Sequence, residues 1–194
     1  MKISVFSAFL FLSFLCVRFS SAKVASALAV ILHEAGHIVA LRAAGGRVVR
    51  ITVFPFGADM ETEGGQNTVR GEFFSVLGGI LANLLTAVLS FCCLRFFPGY
   101  GGFFRELALC SLLYAVLNAL PVKTLDGGRL LHLLLLQKNG VGLSFRAERA
   151  ISFVFLFCLW FVGVYLLFYT AFNVSLFLMC VYLFYVIFGR DPVG

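Results

Sequence analysis

The sequence predicts an all-α polytopic membrane protein, with about six transmembrane helices and a small cytoplasmic β-hairpin or sheet between the second and the third. Three observations predict it. Hydrophobic residues make up 61% of the 194 positions and charged residues only 12%, with a mean hydropathy of +1.02. A soluble domain of this size needs far more polar surface than that. The hydrophobic residues fall into six runs that approach the ~20 residues a helix needs to cross a bilayer. The cations lie in short polar loops between the runs, so the pI of about 9.2 reflects membrane flanks and not a nucleic-acid stripe.

The runs cover residues 3–19, 24–44, 73–97, 103–120, 150–171 and 174–188, and the length leaves room for a single membrane-embedded domain, 1–194. The first run also fits a secretory leader, with Lys2 before it and Ser20-Ser21-Ala22 after it. A retained helix is the reading that keeps the topology consistent. With the N-terminus in the cytoplasm, eleven of the fifteen Lys and Arg residues lie inside. Only Arg18, Lys23, Arg95 and Arg105 lie outside, so both termini are expected to be cytoplasmic.

The polar stretch 45–72 lacks a helical pattern. Val48, Val49, Ile51, Val53 and Phe56 favour strands, and Pro55, Gly57 and Gly64-Gly65 punctuate them. This is the expected hairpin. The six cysteines lie in or beside apolar runs without a Cys-x-x-Cys pair, and read as small buried hydrophobes.

The chemistry concentrates in His33-Glu34-Ala35-Gly36-His37. Histidines four apart project from one helical face and suit one zinc ion, with Glu34 beside them to take a proton from an activated water. The motif lies inside the second apolar run, where a carboxylate costs at least ~2.5 kcal/mol. That cost argues for a metal, a partner or a proton path; a polar helix–helix contact of His and Glu is the structural alternative. His37 and His33 precede Ala44 by seven and eleven residues. At 1.5 Å per residue the site lies roughly 10–16 Å below the cytoplasmic surface.

A catalytic zinc takes three protein ligands and keeps one open position. Asp126 is the strongest third candidate. Pro121 breaks the chain before it, and Gly127-Gly128 permits a tight reversal, so the segment could line a cavity at membrane depth. Asp126 also suits the N-cap of a helix from Gly128 to Lys138. His132 reads as interfacial or packed. Asn83 and Asn118 each suit a substrate carbonyl or a developing oxyanion, or else an interhelical hydrogen bond. Gly78-Gly79 suggests close helix approach.

These residues resemble the site-2 protease family of intramembrane zinc metalloproteases. The likeness rests on His33-Glu34-x-x-His37, Gly79-x-x-x-Asn83, and Asn-x-x-Pro…Leu-Asp-Gly-Gly from Asn118 to Gly128. It covers roughly residues 24–140, and a sporulation-protease branch is the nearest likeness. The resemblance implies one Zn2+ bound by His33, His37 and Asp126, Glu34 as general base, and cleavage of a membrane-associated protein within or near the bilayer of a bacterial cell. In that branch the substrate is an inactive sigma-factor precursor. The expected partners are such a substrate, membrane inhibitor or regulator proteins and lipid, with no nucleic acid. Unlike that branch, the chain carries no C-terminal nucleotide-sensing domain, and it also lacks the inserted peptide-binding domain of stress-response relatives. A membrane zinc-binding or transport protein would use the same histidines without needing Glu34. An inactive scaffold for membrane helices would need neither the ligands nor the base.

Overall fold

The computed structural model describes residues 21–54, 57–63 and 69–169, with Val181 and Phe184. The run expected at 3–19 lies outside the described residues, as does that at 174–188 apart from Val181 and Phe184. The chain forms two compact units that divide between Val116 and Leu117.

In the first unit, helix α1 spans Ser21–Ala43. A helix is what an apolar run must adopt in hydrocarbon, because each backbone polar group needs a partner within the segment. The stop signal is Gly45, at φ +80°. Its N–H donates to Arg42 O at 3.0 Å, and the N–H of Gly46 donates to Leu41 O at 3.0 Å. This is a Schellman cap, and its left-handed residue suits glycine. The expected hairpin follows. Strand β1 (Arg47–Phe54) pairs antiparallel with β2 (Gly57–Glu63), from Arg47 opposite Glu63 to Phe54 opposite Gly57. The register slips between Val48 and Arg50, a β-bulge.

Helix α2 spans Val69–Phe96, with Glu72 in its first turn and Arg95 in its last, each on the side the helix dipole favours. A 3-10 turn at Pro98–Tyr100 leads into α3, Gly101–Ala119. Helices α1 and α2 pack at a glycine crossing. A methyl group on Gly36 would lie 3.0 Å from the carbonyl carbon of Gly78 and closer still to its oxygen. One on Gly78 would meet Gly36 and Ala40. Nearer its N-terminus α1 packs Ala25 and Ala29 against Leu107 of α3, with Phe103 and Cys110 alongside.

In the second unit the chain leaves α3 through a broken segment. Val122 N–H donates to Leu120 O at 2.8 Å, and Leu125 N–H to Val122 O at 2.7 Å. Pro121 has no N–H to continue the helix. The next helix, α4, begins at Asp126 and stays helical to Tyr169, well past the expected Gly128–Lys138. Its opening glycines lie under the broken segment: a methyl group on Gly128 would lie 2.7 Å from Lys123 N. Val122 is fully buried against Leu156 and Leu159, and Lys123 N–H donates to Ser152 Oγ at 2.9 Å.

Helix α4 cannot be straight. His132 Nδ1 lies 2.7 Å from Glu148 Oε2, and the His132 and Phe145 ring centres are 4.9 Å apart. Sixteen residues of straight helix would separate the first pair by about 24 Å. The helical run therefore bends sharply between them, where Gly140 and Gly142 weaken it.

Four described helices are long and apolar enough to cross a membrane: Ser21–Ala43, Gly71–Phe96, Pro98–Ala119 and Ser144–Tyr165. Their outward faces carry large apolar side chains such as Val39, Leu85, Phe91 and Phe161. In water such a surface would be an aggregation liability; against lipid it is solvated. The described cysteines follow that surface; Cys16 and Cys180 lie outside the described residues. Cys92 and Cys158 are exposed, and Cys93 and Cys110 half-buried, which corrects the expectation that they are buried. Cys92 and Cys158 face outward with the apolar side chains around them.

Three outcomes are expected. Gly78→Ala should destabilise the protein by ~1–3 kcal/mol through overpacking, read by denaturant unfolding in detergent. Gly99→Ala should change it by less than ~0.5 kcal/mol, since a methyl group there meets nothing within 4 Å. Glu148→Ala should raise amide hydrogen exchange across residues 126–150 while leaving α1 and α2 protected, because it removes the pin that closes the α4 bend.

Candidate metal centre

The site in the first unit is built on the paired faces of α1 and α2. His33 and His37 project from one face of α1, as their spacing requires. Both are buried, at 3% and 8% exposure, within an apolar helix. Their Nε2 atoms converge to 3.1 Å, and their rings stand at 88° to one another with centres 4.7 Å apart.

Helix α2 holds both rings from behind. His37 Nδ1 lies 2.9 Å from Ser75 O. A carbonyl only accepts, so Nδ1 carries the proton, and in a neutral ring Nε2 must then accept. His33 Nε2–H is its donor. That leaves His33 Nδ1 as an acceptor, and Asn83 Nδ2 donates to it at 3.1 Å. Ser75, Gly79 and Asn83 lie four residues apart along α2, one above the other on a single face. Between the two anchors, Gly79 makes room for the imidazoles. A methyl group there would lie 2.9 Å from His33 Cε1 and closer to His37. The two glycines thus divide the work: Gly78 admits the backbone of α1, and Gly79 admits its histidines.

Asn83 was expected to serve a substrate carbonyl or an oxyanion, or else an interhelical hydrogen bond. Its amide nitrogen faces His33 of α1, which is an interhelical contact, and the residue is wholly buried. Its Oδ1 has no hydrogen-bond partner among the described residues, an arrangement that costs about 1–3 kcal/mol.

The histidine pair fits a metal ion. Two imidazole nitrogens on one tetrahedral zinc, each at 2.0–2.1 Å, are separated by about 3.3 Å, close to the 3.1 Å observed. His37 Nδ1 donates to a backbone carbonyl, as the outer nitrogen of a ligating histidine usually does. Glu34 follows His33 in sequence and is half-buried. The ring of Tyr114, from α3, approaches that of His33 to 6.1 Å between centres. Sequence reasoning missed Tyr114; a hydroxyl-bearing ring inside an apolar run was the available signal.

The second unit holds the other candidates. Asp126 is the first residue of α4 and is buried at 8% exposure, just beyond the broken segment. Asn118 is half-buried in the last turn of α3. His132 is engaged with Glu148, a partner the sequence did not suggest.

Stage IV sporulation protein FB of Bacillus subtilis (strain 168) is 27% identical over 157 residues, which is 80% of this chain and 54% of that protein. The chain thus spans about half the length of that curated relative. The solved structure of the Site-2 Protease from Methanocaldococcus jannaschii superposes with a TM-score of 0.72 and 19% identity, covering 100% of this chain and 94% of that one; the likeness is one of fold. Peptidase family M50 matches residues 22–104 and 98–162, stretches that include both histidines, Glu34, Asn83, Asn118 and Asp126. With well over half of its length matched, the chain belongs to peptidase family M50.

Proposed function

We propose that this chain is an intramembrane zinc metalloendopeptidase that cleaves a membrane-associated protein within or near the bilayer, at its cytoplasmic side. The observation that carries the reading is the histidine pair: two buried imidazoles on an apolar helix, Nε2 atoms 3.1 Å apart, with the outer nitrogens held by α2. Membership of peptidase family M50 supports the same chemistry. His33, His37 and Asp126 would hold one zinc ion. Each of the three is buried in its own unit, and two imidazoles with one carboxylate is a composition that zinc sites use.

Zinc, when bound there, supplies Lewis acidity and brings the pKa of a coordinated water near 7. Glu34 takes the proton of the attacking water and later gives it to the leaving amine. Asn118 donates its amide N–H to the developing oxyanion. The apolar faces around the helices keep bulk water out, so these dipoles act in a low dielectric. A substrate helix must unwind before attack, because its carbonyls are already hydrogen-bonded. The edge of the β1–β2 hairpin suits pairing with that extended strand.

The chain functions as one membrane-embedded domain, 1–194, with six spans and both termini in the cytoplasm of a bacterial cell. The hairpin lies on that cytoplasmic side. The similarity to a sporulation protein supports a role in sporulation, and the proposed substrate is a regulatory protein such as a sigma-factor precursor. Inhibitor or regulator proteins of the membrane are the natural partners.

The test uses the full chain in lipid nanodiscs with a tethered membrane substrate. Glu34→Gln should lower cleavage by ~10²–10⁴-fold while zinc per chain stays at one. Asp126→Ala should lose both zinc and cleavage. Unimpaired cleavage by Glu34→Gln rules the mechanism out and leaves a zinc-binding or transport protein.

A further inference from the structure

Asp126 follows a break in the chain, and a break leaves backbone groups without intrahelical partners. Where water is scarce, a side chain has to take them. Ser152 does so. Lys123 N–H donates to its Oγ at 2.9 Å, and its own O–H donates to Pro121 O at 3.4 Å, a long contact. The serine thus bridges the two residues on either side of Val122. Val122 itself packs against Leu156, one turn further along α4.

Ser152 belongs to a stripe. Ser144, Glu148 and Ser152 follow one another at four-residue steps, so they share one face of α4 beyond its bend, and all three are buried. This limb is apolar enough to cross a membrane, and in such a helix a buried polar face needs polar partners. Past Ser152 the face turns apolar, at Leu156 and Leu159. Glu148 meets His132, on the first limb of α4, at 2.7 Å. The Glu148 and Ser152 grips lie one turn, about 6 Å, apart along the helix. They hold different stretches of chain: residues 121–123 and residue 132. Asp126 lies between those points, and the chain there has little slack. Leu125 N–H donates to Val122 O at 2.7 Å, and Gly127 and Gly128 lie against the carbonyls of Ala119 and Val122 without room for a methyl group.

We infer that the Glu148–Ser152 face of α4 is a brace that sets Asp126 in place before any metal arrives, with both side chains as positioning residues. Ser152 acts through the backbone of the broken segment, and Glu148 through His132. The inference rests on the zinc reading above for the ligand role of Asp126. It goes beyond that reading by assigning the placement of the third ligand to two side chains far along the same helix. A ligand held in position beforehand loses less freedom on binding, which raises affinity.

The test reads the full chain in lipid nanodiscs twice: by amide hydrogen exchange without metal, and by zinc affinity through chelator competition. In the metal-free wild type, amides from Val122 to His132 should be protected, and zinc should change their exchange by less than about threefold. Ser152→Ala should speed exchange there and weaken zinc binding by about 10–100-fold, while α1 and α2 exchange as in the wild type. Glu148→Ala should act in the same direction. Ser152→Thr retains the hydroxyl and should stay within a few-fold of the wild type in both readouts. The brace is overturned if Ser152→Ala and Glu148→Ala bind zinc as tightly as the wild type, or if exchange in these variants rises equally in α1 and α2, which is a loss of folding and not of placement. It is also overturned if residues 122–132 of the wild type become protected only once zinc is bound. That last measurement needs no variant, so it decides even where the variants fail to fold. A wild type that keeps 122–132 protected and takes up no zinc overturns the zinc reading and leaves the placement of Asp126 standing.

Discussion

Gly36 and Gly78 face each other without side chains, and the two helices that carry them come into backbone contact. That closeness sets what α2 can reach. One turn N-terminal to Gly79 the Ser75 carbonyl meets His37, and one turn C-terminal to it Asn83 meets His33. A larger residue at either glycine would push the helices apart by more than a hydrogen bond tolerates. The site therefore depends less on the histidines than on the small residues opposite them. Any residue but glycine at 79 would collide with both rings.

Polar groups inside an apolar helix pair must be satisfied locally or lose several kcal/mol each. The pair of neutral imidazoles meets this demand with a relay of three hydrogen bonds that ends on a backbone carbonyl. Within this relay, Asn83 Oδ1 is the atom without a hydrogen-bond partner among the described residues. A partly satisfied polar network is commonly a functional one, because a purely structural contact has no reason to retain the defect. Glu34 adds a carboxylate beside this neutral pair, on the same helix, which is the arrangement a general base at a metal site needs.

Much of the site was legible because its chemistry is local. Histidines at i and i+4 share a helical face whatever surrounds them, and the apolar flanks of 24–44 fixed their environment. Strand β1 was legible from its β-branched residues. Strand β2, Gly-Ala-Asp-Met-Glu-Thr-Glu, carries almost no strand propensity and forms through pairing with β1. The contacts that cross between elements were not legible. His132 and Glu148 are sixteen residues apart and meet only because α4 bends. Tyr114 reaches His33 through the packing of α3 on α1. The partner of Asn83 was hidden for the same reason, although its spacing from Ser75 and Gly79 placed all three on one face. The outward-facing Cys92 and Cys158 show the converse error: composition reports that a residue is apolar, while the side of the helix decides whether it meets protein or lipid.

The central claim is that the imidazoles of His33 and His37 share one zinc ion with a carboxylate. Zinc K-edge X-ray absorption on the full chain in lipid nanodiscs tests it most directly. The claim predicts one zinc per chain, two imidazole ligands, and nitrogen or oxygen at about 2.0–2.1 Å with no sulfur. A spectrum with sulfur at about 2.3 Å, or with a single imidazole, would contradict it.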